Sequence, residues 1–135
     1  MQHVPPCHAN AVQWTISAQG ATQGLMISVG IASKRTCRLP TRPSVQVLVG
    51  GRTAAVRRSA FPLGAEEAPR RVIGPGRSVW ALVRFENWCR AAGRVALRLR
   101  LGGVAVVQAV PGGGSPVCQS RTAPAHVGVS VFVRR

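Results

Sequence analysis

Short runs in which every second residue is apolar recur along the chain, and no stretch sustains the three-to-four-residue rhythm of an amphipathic helix. Val12, Trp14, Ile16 and Ala18 alternate with Gln13, Thr15 and Ser17. Leu25, Ile27, Val29 and Ile31 repeat the pattern beyond a turn at Gly20–Gly24. Val45, Val47 and Val49 form a third run, ended by Gly50-Gly51, a dipeptide suited to the positive-φ positions of a hairpin turn, and Thr53 to Val56 return. After Gly74-Pro75-Gly76, the residues Val79, Ala81, Val83 and Phe85 alternate with Ser78, Trp80, Leu82 and Arg84; apolar residues on both faces favour a central strand. Val95, Leu97, Leu99 and Leu101 alternate with Ala96, Arg98 and Arg100, and Gly102-Gly103 turns this run into Val104 to Val110. Val127, Val129, Val131 and Val133 close the series, and their odd-numbered phase is expected to be buried.

Side chains of an extended strand point alternately to its two faces, so each run can bury one face only against another sheet. About seven or eight such strands, with turns at intervals of about 8–12 residues, predict an all-β fold: a two-layer antiparallel β-sandwich of immunoglobulin-like plan. Ala60 to Arg71, with Pro62, Gly64 and Pro69, reads as a loop, and Pro111 to Pro116 as another. At 135 residues the chain is the size of one domain. We expect a single sandwich over 1–135, with 1–6 as a flexible N-terminal segment.

Cys7, Cys37, Cys89 and Cys118 stand far apart in the sequence. Zinc sites usually contain a close Cys-x₂₋₄-Cys or His-x₃₋₅-His pair, which this chain lacks, and Cys7 and His8, as neighbours on an extended chain, point apart. No metal and no cofactor are expected. Disulfides are the better use of the four thiols, which places the chain in an oxidising compartment. Three pairings are open. Cys7 precedes the first strand and Cys37 follows the second; Cys89 and Cys118 flank a later hairpin in the same way. Antiparallel hairpins return such positions to one end, which favours Cys7–Cys37 and Cys89–Cys118, and each bridge closes a loop of about 30 residues, contributing roughly 3–4 kcal/mol. The rival is an inter-sheet Cys37–Cys89 bridge, as in immunoglobulin domains.

Seventeen Arg and Lys34 face only Glu66, Glu67 and Glu86, a formal charge of +15. Such a surface attracts anions: envelope polymers, lipid headgroups or nucleic acid. Arg98 and Arg100 share the outward face of one strand, and they form a basic stripe with Arg84 if that residue lies on a neighbouring strand of the same sheet. A solvated sheet face and the codon usage of a G+C-rich genome are the bland accounts of the same residues. The first ten residues carry neither the basic start nor the apolar core of a secretory signal, so an export signal or lipid anchor is expected outside this sequence. No run reaches the ~20 apolar residues of a membrane-spanning helix.

Catalytic chemistry finds little support. Nucleophilic catalysis needs an orienting acid behind a histidine, and the chain has no Asp. Glu66-Glu67 sit in a Pro-rich loop, and Glu86 is expected to pair with Arg84 or Arg90. Gly112-Gly113-Gly114 lacks the Lys-Ser/Thr ending of a phosphate cradle. With six aromatics and no Tyr, a stacking platform for single-stranded nucleic acid is thin.

The segment Cys37-Arg-Leu-Pro-Thr-Arg-Pro43 resembles the Cys-x-Leu-x-Gly-Tyr-Pro element of an actinobacterial secreted four-cysteine family, domain of unknown function 4232. Cys7, Gly74-Pro75-Gly76 before a Val/Trp strand, Cys89, Pro111-Gly112 and Cys118 before a last Val strand follow that family's order. Thr41 and Arg42 stand where the family has Gly and Tyr. The resemblance implies an extracytoplasmic β-sandwich, commonly exported or lipid-anchored, without established activity. The expectation is therefore a non-enzymatic cell-envelope or secreted module with a basic surface; an intracellular nucleic-acid-binding protein and an enzyme are the alternatives.

Overall fold

The computed structural model describes residues 3–21, 24–60, 71–88, 95–111, 118 and 120–134. They form an all-β protein with twelve strands, and there is no helix among them. The first six strands are β1 (Gln13–Ala21), β2 (Gly24–Ala32), β3 (Cys37–Arg38), β4 (Ser44–Val49), β5 (Arg52–Thr53) and β6 (Arg57–Ala60). The remainder are β7 (Val72–Ile73), β8 (Ser78–Glu86), β9 (Val95–Leu101), β10 (Val104–Ala109), β11 (His126–Val129) and β12 (Val133–Arg134). The excess over the expected seven or eight comes from short strands that carry no readable alternation, such as β3, β6 and β7, and the return expected at Thr53 to Val56 is limited to Arg52–Thr53.

Three sheets result. The largest has the order β1-β2-β8-β11-β6, with β12 also on β8; a second runs β10-β9-β4-β5; and β3 pairs with β7. β8 is central, as its two apolar faces predict, with β2 on one side and β11 and β12 on the other. Its residues Val79, Ala81, Val83 and Phe85 are buried. All pairings of named strands are antiparallel except one: β6 runs parallel to β11, with Arg58 opposite Val127. Gly50 and Gly51, and Gly102 and Gly103, take the positive φ their hairpin turns require.

Ile27, Val29, Val83, Phe85, Val127 and Val129 of the large sheet belong to one buried cluster with Val45, Val47, Leu97 and Leu99 of the second sheet. Trp88 joins them, its ring centroid 5.1 Å from that of Phe85. A second cluster gathers Ile31, Val79, Ala81, Leu101, Phe132 and Ile73 around Cys7 and Cys37.

The last run departs from its expected phase. Val127 and Val129 are buried as predicted, but Val131 and Val133 are only half-buried and the fully buried residue is Phe132. The register gives the reason. Val129 lies opposite Val83 and Val133 opposite Trp80, so three residues on this side face two on β8, a bulge that flips the alternation. Ser130 repairs the ladder there: its N–H donates to the Leu82 carbonyl (2.9 Å), and its hydroxyl accepts the Leu82 N–H (2.7 Å) while donating to the Val131 carbonyl (3.0 Å).

Cys7 and Cys37 form a disulfide, as the hairpin argument favours, which excludes the Cys37–Cys89 rival. Cys118 is also disulfide-bonded; Cys89, its expected partner, lies outside the described residues. Neighbouring geometry holds the two chain regions together. Asn87, with φ of 50°, donates from Nδ2 to the carbonyls of Ala123 and Pro124 (both 3.2 Å) and accepts the Ser120 N–H (2.7 Å). The chain just before β1 is joined to β3 through its backbone. Arg38 donates its N–H to the Pro5 carbonyl (2.7 Å) and Cys7 donates to the Arg38 carbonyl (2.8 Å), because β3 would otherwise leave those backbone groups without strand partners.

Candidate functional site

Three groupings of polar side chains stand out, and the expected basic stripe is divided between two of the sheets. Arg98 and Arg100 lie on the outward face of β9, Arg98 opposite Gln46 and Arg100 opposite Ser44. Arg98 donates from Nη1 to Gln46 Oε1 (3.2 Å) and Thr53 Oγ1 (3.4 Å), whereas Arg100 is exposed. Arg84 is on β8, in the other sheet, so the condition for one continuous stripe is not met. Its Nε lies 3.5 Å from Glu86 Oε1, the pairing expected for that acid.

Around Glu86 the large sheet assembles an array that the sequence argument did not find. His126 is the register partner of Glu86, and its Nδ1 lies 3.0 Å from Glu86 Oε2; Ser59 Oγ lies 2.8 Å from His126 Nε2. An ionised carboxylate can only accept, so Nδ1 carries a proton, and in the neutral imidazole Nε2 then accepts the Ser59 hydroxyl proton. The connectivity is that of a Ser-His-acid relay, with Glu in place of the absent Asp. Its parts come from three adjacent strands, β6, β11 and β8, which are far apart in the chain. Only the position of Glu86 at a strand end and of His126 at a strand start hinted at it. Ser59 lies on the exposed edge strand β6, and the array joins that strand to the sheet interior.

The third grouping is concave. A cleft of about 540 Å³ is lined by Val72, Ile73, Gly74 and Gly76 of β7 and its turn, Arg77, Ser78, Val79 and Trp80 at the start of β8, and Arg134 of β12. This size falls within the ~300–1,000 Å³ typical of small-molecule sites. Arg77 and Arg134 are both exposed, and neither pairs with an acid among the described residues. The indole of Trp80 is set by its cross-strand partner Gly30. A methyl group at position 30 would sit 2.8 Å from Cη2 and Cζ3 of the ring, so the ring lies directly across the glycine backbone. Nothing in the sequence joins Arg134 to Arg77 and Trp80, because the positions meet only through the β8–β12 pairing.

Among the described residues no three His, Cys, Asp or Glu side chains converge on a possible metal position, and no helix is long and apolar enough to cross a membrane. No protein-family model, curated protein or solved structure matches this chain.

Proposed function

We propose that the chain is a non-enzymatic, extracytoplasmic binding module, a two-layer β-sandwich of immunoglobulin-like plan that holds anionic polymers on a basic surface. The observation that carries this reading is charge without counterweight. Glu86 is the one acid among the described residues and is already engaged by Arg84 and His126. Exposed cations such as Arg35, Arg52, Arg71, Arg100 and Arg121 therefore attract anions from outside the chain. The shared buried cluster of the two larger sheets supports the sandwich plan. The Cys7–Cys37 disulfide and the cysteine order shared with the secreted four-cysteine family support an extracytoplasmic setting.

Binding to a poly(glycerol phosphate) chain, an anionic polysaccharide and duplex DNA, measured across a salt series, tests the reading. Affinity should fall steeply with salt for all three; for DNA each neutralised phosphate adds about 0.9 to the log–log slope. Replacing Arg98 and Arg100 with Ser should lower that slope by roughly 1–2 if this face contributes. Absence of binding to all three polymers at low salt would sink the proposal.

The Ser59–His126–Glu86 array favours a second reading, an acyl-transfer enzyme with Ser59 as nucleophile. A fluorophosphonate probe separates the two. Under the binding-only reading the native protein stays unlabelled, and labelling at Ser59 that His126→Ala abolishes would replace it with the enzymatic one.

A further inference from the structure

We infer that the cleft between the β7 turn, the start of β8 and β12 binds an acidic sugar unit: a pyranose bearing a carboxylate or a phosphate. This inference rests on the anionic-polymer reading and gives it a site. The argument starts from the two arginines. Arg77 and Arg134 line one cleft with no carboxylate between them among the described residues, and Glu86, the acid described, ends β8 on the order of 20 Å from Trp80. Two guanidinium groups in one concavity are the arrangement that receives a planar carboxylate or a phosphate, because each offers paired N–H donors in a fixed fork.

The rest of the lining fits a sugar ring. Trp80 lines the cleft and brings an indole, a flat apolar group of the kind that packs against the C–H face of a pyranose, and Val72, 45% exposed, adds apolar surface. Contact with Gly30 fixes the indole before any ligand arrives, so little rotamer freedom is lost on binding. The Ser78 hydroxyl, which can donate and accept, lies in the same lining and suits ring hydroxyls. Gly74 and Gly76 leave the turn's backbone open to close approach. A nucleic-acid strand is the poorer occupant, since a track for stacked bases needs aromatics in succession and Trp80 is the one aromatic among the described residues of this lining.

Calorimetric titration of the full chain with four probes tests the assignment: a hexuronate oligosaccharide, a hexose-phosphate oligomer, a neutral oligosaccharide of equal length and a single-stranded oligodeoxynucleotide. One or both acidic sugars should bind at least tenfold more tightly than the neutral one, and their comparison tells carboxylate from phosphate recognition. The Arg77→Ala/Arg134→Ala variant should lose at least tenfold in affinity for the preferred acidic sugar, whereas Arg98→Ser/Arg100→Ser should lose less than threefold. Trp80→Leu should weaken the acidic sugar and leave binding of duplex DNA unchanged; the Arg77/Arg134 variant, altered only at exposed residues, decides the matter if Trp80→Leu does not fold. Equal losses in the two arginine variants, equal affinity for neutral and acidic sugars, or a preference for the oligonucleotide would each overturn the assignment. Polymers that bind while acidic oligosaccharides do not would remove the cleft and keep the basic-surface reading; failure of both would remove both.

Discussion

Ser130 illustrates how much a single hydroxyl can carry. It is fully buried, and it stands in for the backbone carbonyl that the β8 ladder loses where the bulge shifts the register. Ser130→Ala removes that acceptor and strands the Leu82 N–H in the protein interior. We expect a loss of about 1–3 kcal/mol in unfolding free energy, read by urea denaturation, whereas Ser33→Ala, at a partly accessible turn, should change it by no more than about 1 kcal/mol. Asn87 is comparable: its left-handed φ disfavours Ala by roughly 1–2 kcal/mol, and its hydrogen bonds to Ala123, Pro124 and Ser120 hold the segment that follows Cys118. Neither role is legible in the sequence. Ser130 falls between Val129 and Val131 in an unbroken alternation, where a polar residue reads as outward-facing, and only the pairing with β8 reveals that the phase has changed.

Strands whose apolar side chains alternate and whose pairing has no bulge are legible in the sequence, because burial of one face dictates both their existence and their phase. β2, β8 and β9 are examples; of the odd-numbered set Val95 to Leu101, Leu97, Leu99 and Leu101 are buried and Val95 is partly buried. β6 was missed. Arg57-Arg58-Ser59-Ala60 has no apolar phase, all four residues are exposed, and the strand exists because β11 offers it a parallel edge. Two arginines on that outer strand also discourage pairing with a second chain. Arg58 does more: it is the register partner of the buried Val127, and its Nη1 donates to the Val45 carbonyl of β4 at 2.8 Å, tying the large sheet to the second one. Arg58→Ala should therefore destabilise the fold by about 1 kcal/mol or somewhat more, while Arg57→Ala should stay within about 0.5 kcal/mol. Equal effects in thermal denaturation would remove the inter-sheet role. The candidate cleft was illegible for a related reason: Arg134 joins the Trp80 strand only through β12, a two-residue element without periodic signal.

At the scale of the whole molecule, the bridge between Cys7 and Cys37 spans 30 residues and lies within the second buried cluster. Replacing both cysteines with Ser should lower stability by roughly 3 kcal/mol by the chain-entropy estimate, with added loss from placing hydroxyls where sulfurs are buried. Calorimetric unfolding of the double variant against the oxidised parent measures it, and a loss below about 1 kcal/mol would mean that the bridge is incidental to the fold. Spacing alone leaves three pairings open, and the positions of Cys7 and Cys37 on either side of the β1–β2 hairpin favour this link, because hairpin geometry brings flanking residues together. The division of Arg84 from Arg98 and Arg100 could not be anticipated, since alternation assigns a face to each residue but not a sheet to each strand. The position of β11 between β8 and β6 has a kinetic consequence. β6 is made early and β11 late, so a chain emerging from its N-terminal end leaves one flank of β8 unpaired until residues 126–129 arrive. Completion of the large sheet is thus a long-range closing step, slow by the standard of local hairpins, during which an apolar flank needs shielding from other unfinished chains.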